Sequence, residues 1–504
     1  MKKLTFLTVC TAMLVCIACD KDFERINTDP VRQTNIDPVF LFAQAQYGTA
    51  RNNEFYQLPI VQQVIHPYTG TPSGGNHNVE NDAAEGAAFA ALYSGPVKYL
   101  MDVIELTRDD PNQVNLYQMA RIWKAYVFQV LVDTYGDVPY SEAGLAHYAG
   151  VNLPTYDPDE AIYENLLMEL EEATAALDAT KPIVTNDLFY QGDVLKWKKL
   201  GYALLLRVAM RYSKVNPEKA KSGVQKAYNG GLMTSNDDNA GIAFSSAYTN
   251  PVVSFVYSEI ANIYLAAPFV DHLKVTQDPR LEVIAVKYEF PSNRQDPGAA
   301  DTDPDHQQGF PFGYDDATVS TAPGYPGKIG TAWKYSQINR STMGRIDAPY
   351  FFVTYAQTAL LLAEAAYRGW IPGDAANYYT QGVKANMDQM ELYSADAHIP
   401  VARQEAYLAA NPFDLANALE HINTQYWIAT YLDGPECWAN FRRSGYPDLT
   451  PNPYPAADPA VKGGFIRRLT YPSREAAVNP ENLNAAVTRM GGDNLAVRIF
   501  WDKE

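Results

Sequence analysis

The segment LYQMARIWKAYVFQVLVDTYG, residues 116–136, constrains the fold more than any other part of the chain. Its apolar side chains recur at spacings of three and four residues, which is the pattern of a helix with one buried face. They are Met119, Ile122, Trp123, Tyr126, Val127, Val130 and Leu131. Gly136 and Pro139 then form a helix stop signal. A chain that contains such segments must bury helix faces against each other.

Further helices follow the same rules. Asp157 and Pro158 predict an N-cap and first turn, with Glu160 as the capping-box partner. Residues 193–214 carry a third apolar stripe, and Asn216-Pro217 starts a fourth helix. A similar helix–turn–helix unit recurs at residues 349–390. The pattern is similar to tetratricopeptide repeats without their strict 34-residue period. The sequence therefore predicts a mainly α fold, with tetratricopeptide-like helical hairpins that form a scaffold and long irregular loops that carry the binding surface.

The N-terminus indicates export. Lys2 and Lys3 precede an apolar run over residues 4–17, which is too short to span a membrane and is typical of a secretory signal. Ala18-Cys19 resembles a lipobox, although Cys16 stands where Leu is usual. We predict a signal peptide at 1–18, lipidation of Cys19, a tether at 19–36 and a single domain at 37–504. The alternative is ordinary secretion with an accidental cysteine.

Cysteine count and charge exclude other classes. Cleavage of the signal would remove Cys10 and Cys16, and lipidation would occupy Cys19, so Cys437 is left without a disulfide partner. We expect Cys437 to act as a small buried apolar residue. The formal net charge is −18 and no Lys/Arg-rich stripe is present, which argues against nucleic acid as a partner.

Two stretches do not fit helices, and we place the binding surface there. They are residues 66–82 and an insert at about 291–347, both rich in Gly and Pro. Loops of this length are usually functional. Sugar rings are bound by flat aromatic faces together with amides or charged groups that reach their hydroxyls. The candidate ligand-binding residues are Trp333, Tyr335, Asn339 and Arg340 in the insert, and Tyr68, Asn76, His77 and Asn78 in the earlier loop.

Trp333 and Tyr335 are one residue apart, so in an extended segment both point to the same face. The Trp333→Ala variant is then expected to lose binding while its melting temperature stays near that of the wild type. The alternative is that Trp333 packs the loop onto the body of the protein. Four other tryptophans lie in helical patterns and are predicted to be core: Trp123, Trp197, Trp427 and Trp438.

Catalytic and metal sites are weakly indicated. Glycoside hydrolysis requires two carboxyl groups that flank one sugar, and Asp133, Asp137 and Glu142 are candidates only because they are close in sequence. We interpret Asp137 as a turn residue that accepts backbone hydrogen bonds. Glu364, alone in an apolar helix, is expected to pair with an arginine.

No cofactor is expected. The scattered histidines lack the spacing of a helical zinc site. Asp301, Asp303 and Asp305 have the alternation of a calcium loop without its glycine and closing glutamate. Structural calcium there is a candidate, and a solvated acidic loop is the alternative.

Several stretches together resemble one family. RIWKAYVFQVLVDTYGDVPYSEAG, the mature start near FERINTDP, INTQYWIATYLDGPECWANFRRSGYPDL and the terminal RIFWDKE are similar to the SusD-like branch of the SusD/RagB outer-membrane lipoproteins of Bacteroidota. Acidic residues after the lipidated cysteine are similar to the surface-export signals of that phylum: Asp20, Asp22 and Glu24.

The resemblance implies a lipoprotein of the outer membrane that faces the cell exterior and does not catalyse a reaction. It would capture a nutrient, usually a glycan, and deliver it to a SusC-like TonB-dependent transporter. Capture of peptides, as in RagB-like members, is the alternative function, and glycoside hydrolysis is a third hypothesis. Ligand contacts vary between members, so the resemblance assigns no binding residue.

Overall fold

The computed structural model describes residues 36–50, 56–68 and 78–503. The predicted signal peptide, Cys19 and the tether up to residue 35 lie outside the described residues, as do Asn76 and His77. Within the described part of the chain, no helix is both long and apolar enough to cross a membrane.

The fold is mainly α-helical, as predicted. The α-helices are α1 (Pro38–Thr49), α2 (Gln57–Ile60), α3 (Asp82–Leu92), α4 (Lys98–Thr107), α5 (Val114–Tyr135), α6 (Ala146–Ala149), α7 (Asp159–Ala176), α8 (Val194–Arg211), α9 (Pro217–Gly230), α10 (Pro251–Ser258), α11 (Ala267–Val275), α12 (Leu281–Ile284), α13 (Tyr355–Tyr367), α14 (Ala375–Tyr393), α15 (Val401–Ala410), α16 (Ala418–Ala429), α17 (Gly434–Ser444), α18 (Ser473–Val478) and α19 (Pro480–Met490). A π-helical turn, Tyr93–Val97, joins α3 to α4.

Local caps explain most of the helix bounds. Gly136 follows α5 with φ 79°, a backbone conformation that residues other than glycine rarely adopt. The predicted helix stop is therefore confirmed. The Asn216 side chain accepts the N–H of Lys219 at the start of α9. Thr354 and Gln357 form a reciprocal capping box at the start of α13.

The predicted cap of α7 is wrong. The helix begins at Asp159, and the Asp157 side chain instead accepts the backbone N–H groups of Tyr140 and Ser141. The orphan N–H of Asp159 donates to Asp137 Oδ1 at 2.9 Å. A carboxylate from the preceding loop therefore caps α7 from outside, because the loop after α5 folds back over the start of this helix.

Helical hairpins form the scaffold. α8 packs on α9, α13 on α14, α5 on α7, and α16 on α17, which confirms the tetratricopeptide-like arrangement. Apolar residues from Val39 to Trp501 form one contiguous core. The four tryptophans that were predicted to be core are at most 2 % exposed. Cys437 is a buried free thiol, as predicted.

Short antiparallel strands organise the parts between the helices. They are β1 (Val64–Ile65), β2 (Ala240–Ile242), β3 (Tyr264–Leu265), β4 (Ala285–Tyr288), β5 (Ala300–Asp301), β6 (Lys328–Ile329), β7 (Ala332–Trp333), β8 (Gln337–Ile338) and β9 (Tyr350–Val353). β1 pairs with β3, β2 with β9, β4 with both β5 and β8, and β6 with β7. The insert contains β5 to β8, single 3-10 turns and irregular chain, so it joins the body through β4 and β8.

Candidate functional site

The two loops that the sequence singles out meet in the structure. Pairing of β1 with β3 places Ile65 opposite Tyr264. The N–H of Asp316, in the insert, donates to the carbonyl of Pro67 at 2.9 Å. The rings of Tyr68 and Trp333 lie 5.9 Å apart. Residues 64–68 and the insert therefore share one packed contact.

We call this contact the loop aromatic cluster. Its buried members are Ile65, Tyr264, Phe310, Val319, Trp333 and Tyr335, and its half-buried outer members are Tyr68, Phe312, Tyr314 and Tyr325. Trp333 meets Phe310 and Tyr264 edge to face, with centroids 5.8 Å apart in both pairs. Edge-to-face rings attract each other beyond the area that they bury. The cluster is a second apolar core, built mostly by the insert.

A tight hairpin positions Trp333. β6 and β7 pair with Lys328 opposite Trp333, and Gly330 makes the turn between them with φ 61°. The Lys328 ammonium lies 4.1 Å from the centre of the indole ring, within cation–π range. The backbone N–H of Trp333 donates to the Tyr264 hydroxyl at 3.0 Å.

The expectation that Trp333 and Tyr335 are exposed is wrong. Their exposed fractions are 0 % and 2 %. The alternation did place both rings on the same side, but that side faces inward. The alternative, in which Trp333 packs the loop onto the body, is confirmed. Burying the large apolar side chains of the insert is what stabilises its fold.

Two polar atoms inside the cluster lack partners. The Trp333 indole N–H and the Tyr335 hydroxyl make no hydrogen bond with the described residues. Burial raises the pKa of Tyr335 to about 12, and the nearby hydroxyls of Tyr325 and Tyr314 add to the effect. Tyr335 is therefore a neutral donor.

Carboxylates lie at the edge of the cluster. The Tyr454 hydroxyl donates to Asp315 Oδ2 at 2.9 Å. Burial opposes ionisation of Asp315, but hydrogen bonds from Thr318 and Tyr454 outweigh it and lower its pKa. The neighbouring Asp316 is exposed. Half-buried rings bordered by carboxylates suit a sugar, which has a ring with polar substituents at its edge.

Asn339 and Arg340 do not join the cluster. The Arg340 guanidinium lies 3.9 Å from the centre of the Tyr288 ring and donates to the carbonyls of Asn293 and Pro291. Asn339 Oδ1 accepts the N–H of Ser341. Both side chains are buried, and that of Arg340 packs on Tyr288 of β4. The expectation that they are available for ligand hydroxyls is therefore wrong.

The earlier loop contributes differently from what was expected. Tyr68 is half-buried in the cluster, and its contact with a ligand stays a prediction. Asn78 is buried with φ 54°, and its side chain donates to the carbonyl of Gly464 at 3.2 Å. Asn78 therefore fixes a turn. Asn tolerates this left-handed conformation better than most residues.

The aspartates of the DTDPD turn contact other groups of the same turn. Asp303 Oδ1 accepts the N–H of Asp305, and Asp301 contacts His306 Nδ1 at 2.9 Å. Among residues 36–50, 56–68 and 78–503, no group of three or more His, Cys, Asp or Glu side chains is arranged to hold a metal ion. Calcium binding at this turn stays a prediction.

The carboxylates considered for catalysis face structural partners. Asp137 is 2 % exposed and also pairs with Arg489 at 2.7 Å. Asp133 contacts Arg211, Tyr163 and Trp501 inside the core. Glu142 accepts the N–H and hydroxyl of Thr155. Asp137 does accept a backbone hydrogen bond, but the donor is the N–H of Asp159 at the start of α7 and not a residue of its own turn.

Sequence reasoning missed several members of the cluster. Phe310, Phe312 and Tyr314 come from the run GFPFGY, and Tyr325 from PGYPG. Aromatic residues between glycines and prolines, outside any helical pattern, were the available signal. Tyr264 gave no such signal, because it lies outside the insert and meets it only through tertiary contacts with Trp333 and Phe310.

Comparison with known proteins gives a consistent result. The family model for SusD-like proteins, described as starch-binding and associating with the outer membrane, matches residues 30–472. A solved chitin-binding protein is similar with a TM-score of 0.80 and 32 % identity, over 93 % of this chain and 100 % of that one. A SusD-like protein of Bacteroidetes has a TM-score of 0.80 at 26 % identity, over the same shares of the two chains.

A chitin-binding SusD homolog from Flavobacterium johnsoniae shares the fold. Its TM-score is 0.72 at 24 % identity, over 93 % of this chain and 98 % of that one. None of the curated proteins matches the chain.

Proposed function

The chain belongs to the SusD-like family, and from this premise we propose that it binds a glycan at the loop aromatic cluster. Lipidated Cys19 would hold it on the outer membrane, facing the cell exterior. The captured oligosaccharide would pass to a SusC-like TonB-dependent transporter. The protein would bind its ligand without cleaving it.

One observation carries the choice of site. The two irregular loops meet in a single cluster, whose outer rings Tyr68, Phe312, Tyr314 and Tyr325 are half-buried. Half-buried rings are held in place by the buried part and offer the rest as a flat apolar surface. Pyranose rings present C–H faces that pack on such surfaces, while phenol hydroxyls and edge carboxylates suit sugar hydroxyls.

The state of the carboxylates supports binding without hydrolysis. A glycosidase needs one protonated and one ionised carboxyl group that face the same sugar. Asp133, Asp137 and Glu364 are each at most 3 % exposed and paired with arginines. The known ligands of two relatives, which are chitin-binding proteins, support a polysaccharide fragment as the ligand.

The test is a binding comparison between cluster variants and a matched control. Chitohexaose and maltohexaose would be titrated by isothermal calorimetry into the wild type, Tyr314→Ala, Tyr325→Ala and Tyr367→Ala. Tyr367 is 40 % exposed at the end of α13, outside the cluster. Each cluster variant is expected to weaken binding tenfold or more, which corresponds to about 1.4 kcal/mol, whereas the control keeps the wild-type affinity.

Equal affinities in all four proteins would contradict the placement of the site. Binding of peptides in place of both sugars would favour the RagB-like alternative. Release of shorter sugars during the incubation, lost in Asp137→Asn, would overturn the proposal of a protein that only binds.

A further inference from the structure

A second surface with saccharide-binding chemistry follows helix α1. We call it the α1 groove; it consists of two adjoining cavities. One, of about 660 Å³, lies at the C-terminal end of α1 and is lined by Gln44, Tyr47 and Gly48 together with residues of distant segments. The other, of about 820 Å³, lies at the N-terminal end and is lined by Pro38 and Leu41 together with the charged residues Asp37, Lys98 and Asp102.

Tyr99 connects the two cavities, because its half-buried side chain lines both. Helix α1 has 12 residues, so the groove beside it extends about 18 Å. That length suits an extended chain molecule better than a compact small ligand. The cluster and the groove share no lining residue.

The 660 Å³ cavity differs from the rest of the protein in the charge of its lining. None of the described side chains that line it carries a charge, although 19 % of the residues of the chain are charged. Its walls offer the rings of Tyr47, Tyr99 and Phe255, the amide of Gln44, and several hydroxyls. Flat rings among uncharged hydrogen-bonding groups match a neutral ligand that is rich in hydroxyls.

Ordered structure holds this lining in place. Asn250 is 2 % exposed, caps α10 through the N–H of Val252, and donates to the carbonyl of Ala348 at 3.0 Å. Ser254 donates to the hydroxyl of Thr249 at 3.2 Å. Ser94 and Gly95, which also line the cavity, belong to the π-helical turn, a rare element that is frequent at functional sites.

The cavity and the loop aromatic cluster lie on opposite sides of the same short segment. Ile65 belongs to the cluster, whereas the ring of the next residue, His66, lies 5.9 Å from the ring of Phe255 in the cavity wall. Successive side chains of an extended segment point to opposite faces. One stretch of chain therefore separates two ring-lined surfaces.

We propose that the α1 groove is a second binding site for a neutral oligosaccharide, with Tyr99 at its middle. This inference rests on the proposed glycan-binding function and adds a second position to it. The ligand lies along α1, with sugar faces against Tyr47, Tyr99 and Phe255 and sugar hydroxyls on Gln44 and Thr249. Two positions on one molecule would raise the affinity for long chains over short ones, since the second contact becomes intramolecular.

The test uses chitohexaose and maltohexaose with the full chain. Calorimetry would compare the wild type with Tyr99→Ala, Tyr47→Ala, the cluster variant Tyr314→Ala and the control Tyr367→Ala. Each variant would be checked for an unchanged melting temperature. We expect two sites in the wild type. Tyr99→Ala and Tyr47→Ala are expected to weaken one of them at least tenfold, and Tyr314→Ala the other.

Hydrogen exchange locates the contact without any substitution. Ligand is expected to protect amides in residues 38–50, 94–107 and 249–258, in addition to those of residues 310–335. One site that only Tyr314→Ala removes, without protection along α1, would overturn the second site and leave the proposed function intact. One site that only Tyr99→Ala removes supports the groove and overturns the cluster as the site. Absence of binding to either sugar overturns both.

Discussion

Glu364 is ionised although only 1 % of it is exposed. Burial opposes its charge, but Arg443 binds both carboxylate oxygens at 2.7 and 2.8 Å, and Arg368 adds a contact at 2.9 Å. These arginines outweigh burial and lower the pKa of Glu364 to about 2. The expected pairing of this lone acid with an arginine is confirmed.

Glu364 predicts a pH dependence of stability. Because its folded pKa is lowered, its contribution is complete above the ordinary value near 4.5 and is lost as pH falls from there towards 2. Glu364→Gln leaves the buried Arg443 uncompensated and is expected to cost about 3–5 kcal/mol at pH 7. Urea unfolding at pH 7 and pH 3 measures both effects, and the variant should lose less stability than the wild type on acidification.

A matched exposed pair provides the control. The Glu405 side chain is 63 % exposed and lies 3.6 Å from Lys384. Glu405→Gln is expected to change the free energy of unfolding by less than about 1 kcal/mol at pH 7. An equal effect of the two substitutions would contradict the role given to the buried pair.

The burial of Trp333 changes what its substitution should do. With the indole fully buried, Trp333→Ala is expected to destabilise the insert by about 3–5 kcal/mol. The earlier expectation of a near-native melting temperature is replaced by early unfolding of the loop region. Limited proteolysis and hydrogen exchange over residues 310–335 test this, with the exposed Tyr248→Ala as control. Wild-type exchange in that region would refute it.

At the scale of elements, helix ends were predictable wherever the cap was local. Asn216, Asp193 and Asp374 each accept N–H groups of the helix that follows them, and each was readable from neighbouring residues. The start of α7 was not, because its cap comes from Asp137, 22 residues before Asp159. Only the folded loop brings that carboxylate to the helix.

External capping of α7 predicts the cost of removing Asp137. Asp137→Ala leaves the N–H of Asp159 and the Arg489 guanidinium without their acceptor, and is expected to cost about 2 kcal/mol. Glu160→Ala, at the exposed position that the sequence assigned to a capping box, is expected to change stability by less than about 0.5 kcal/mol. Thermal unfolding of both variants checks this. A larger loss of stability in Glu160→Ala than in Asp137→Ala would support the local capping box instead.

At the scale of the whole molecule, buried charges tie distant helices together. Arg211 of α8 contacts Asp133 of α5 and Glu436 of α17, and Trp501 near the C-terminus donates to the same aspartate. These contacts lie inside the contiguous apolar core. Because these contacts join the helices, residues of the loops can differ between proteins without disturbing the scaffold.

Attachment to the membrane is also a property of the whole molecule. We predict that Cys19→Ala yields an unlipidated protein that is released from the membrane fraction, because stable anchoring needs the acyl chains of the lipidated cysteine. Cell fractionation and mass spectrometry of the N-terminal peptide measure this. Cys437→Ala, at a buried position, is the cysteine control and should stay anchored. Continued anchoring of the Cys19 variant would refute the lipobox.

The sequence by itself determined the helical scaffold. Apolar spacing, local caps and the stops at glycine and proline act within a few residues, so the bounds of α5, α8, α9 and α13 follow from neighbouring side chains. The same is true of the buried tryptophans. An arginine partner for Glu364 was expected, but Arg443 lies 79 residues further along the chain and reaches it only in the tertiary structure. The tertiary structure decided which loop residues are buried and which are offered to a ligand. Alternation predicted that Trp333 and Tyr335 share a face. Whether that face meets water depends on Tyr264 and Phe310, whose rings pack against it only in the folded protein.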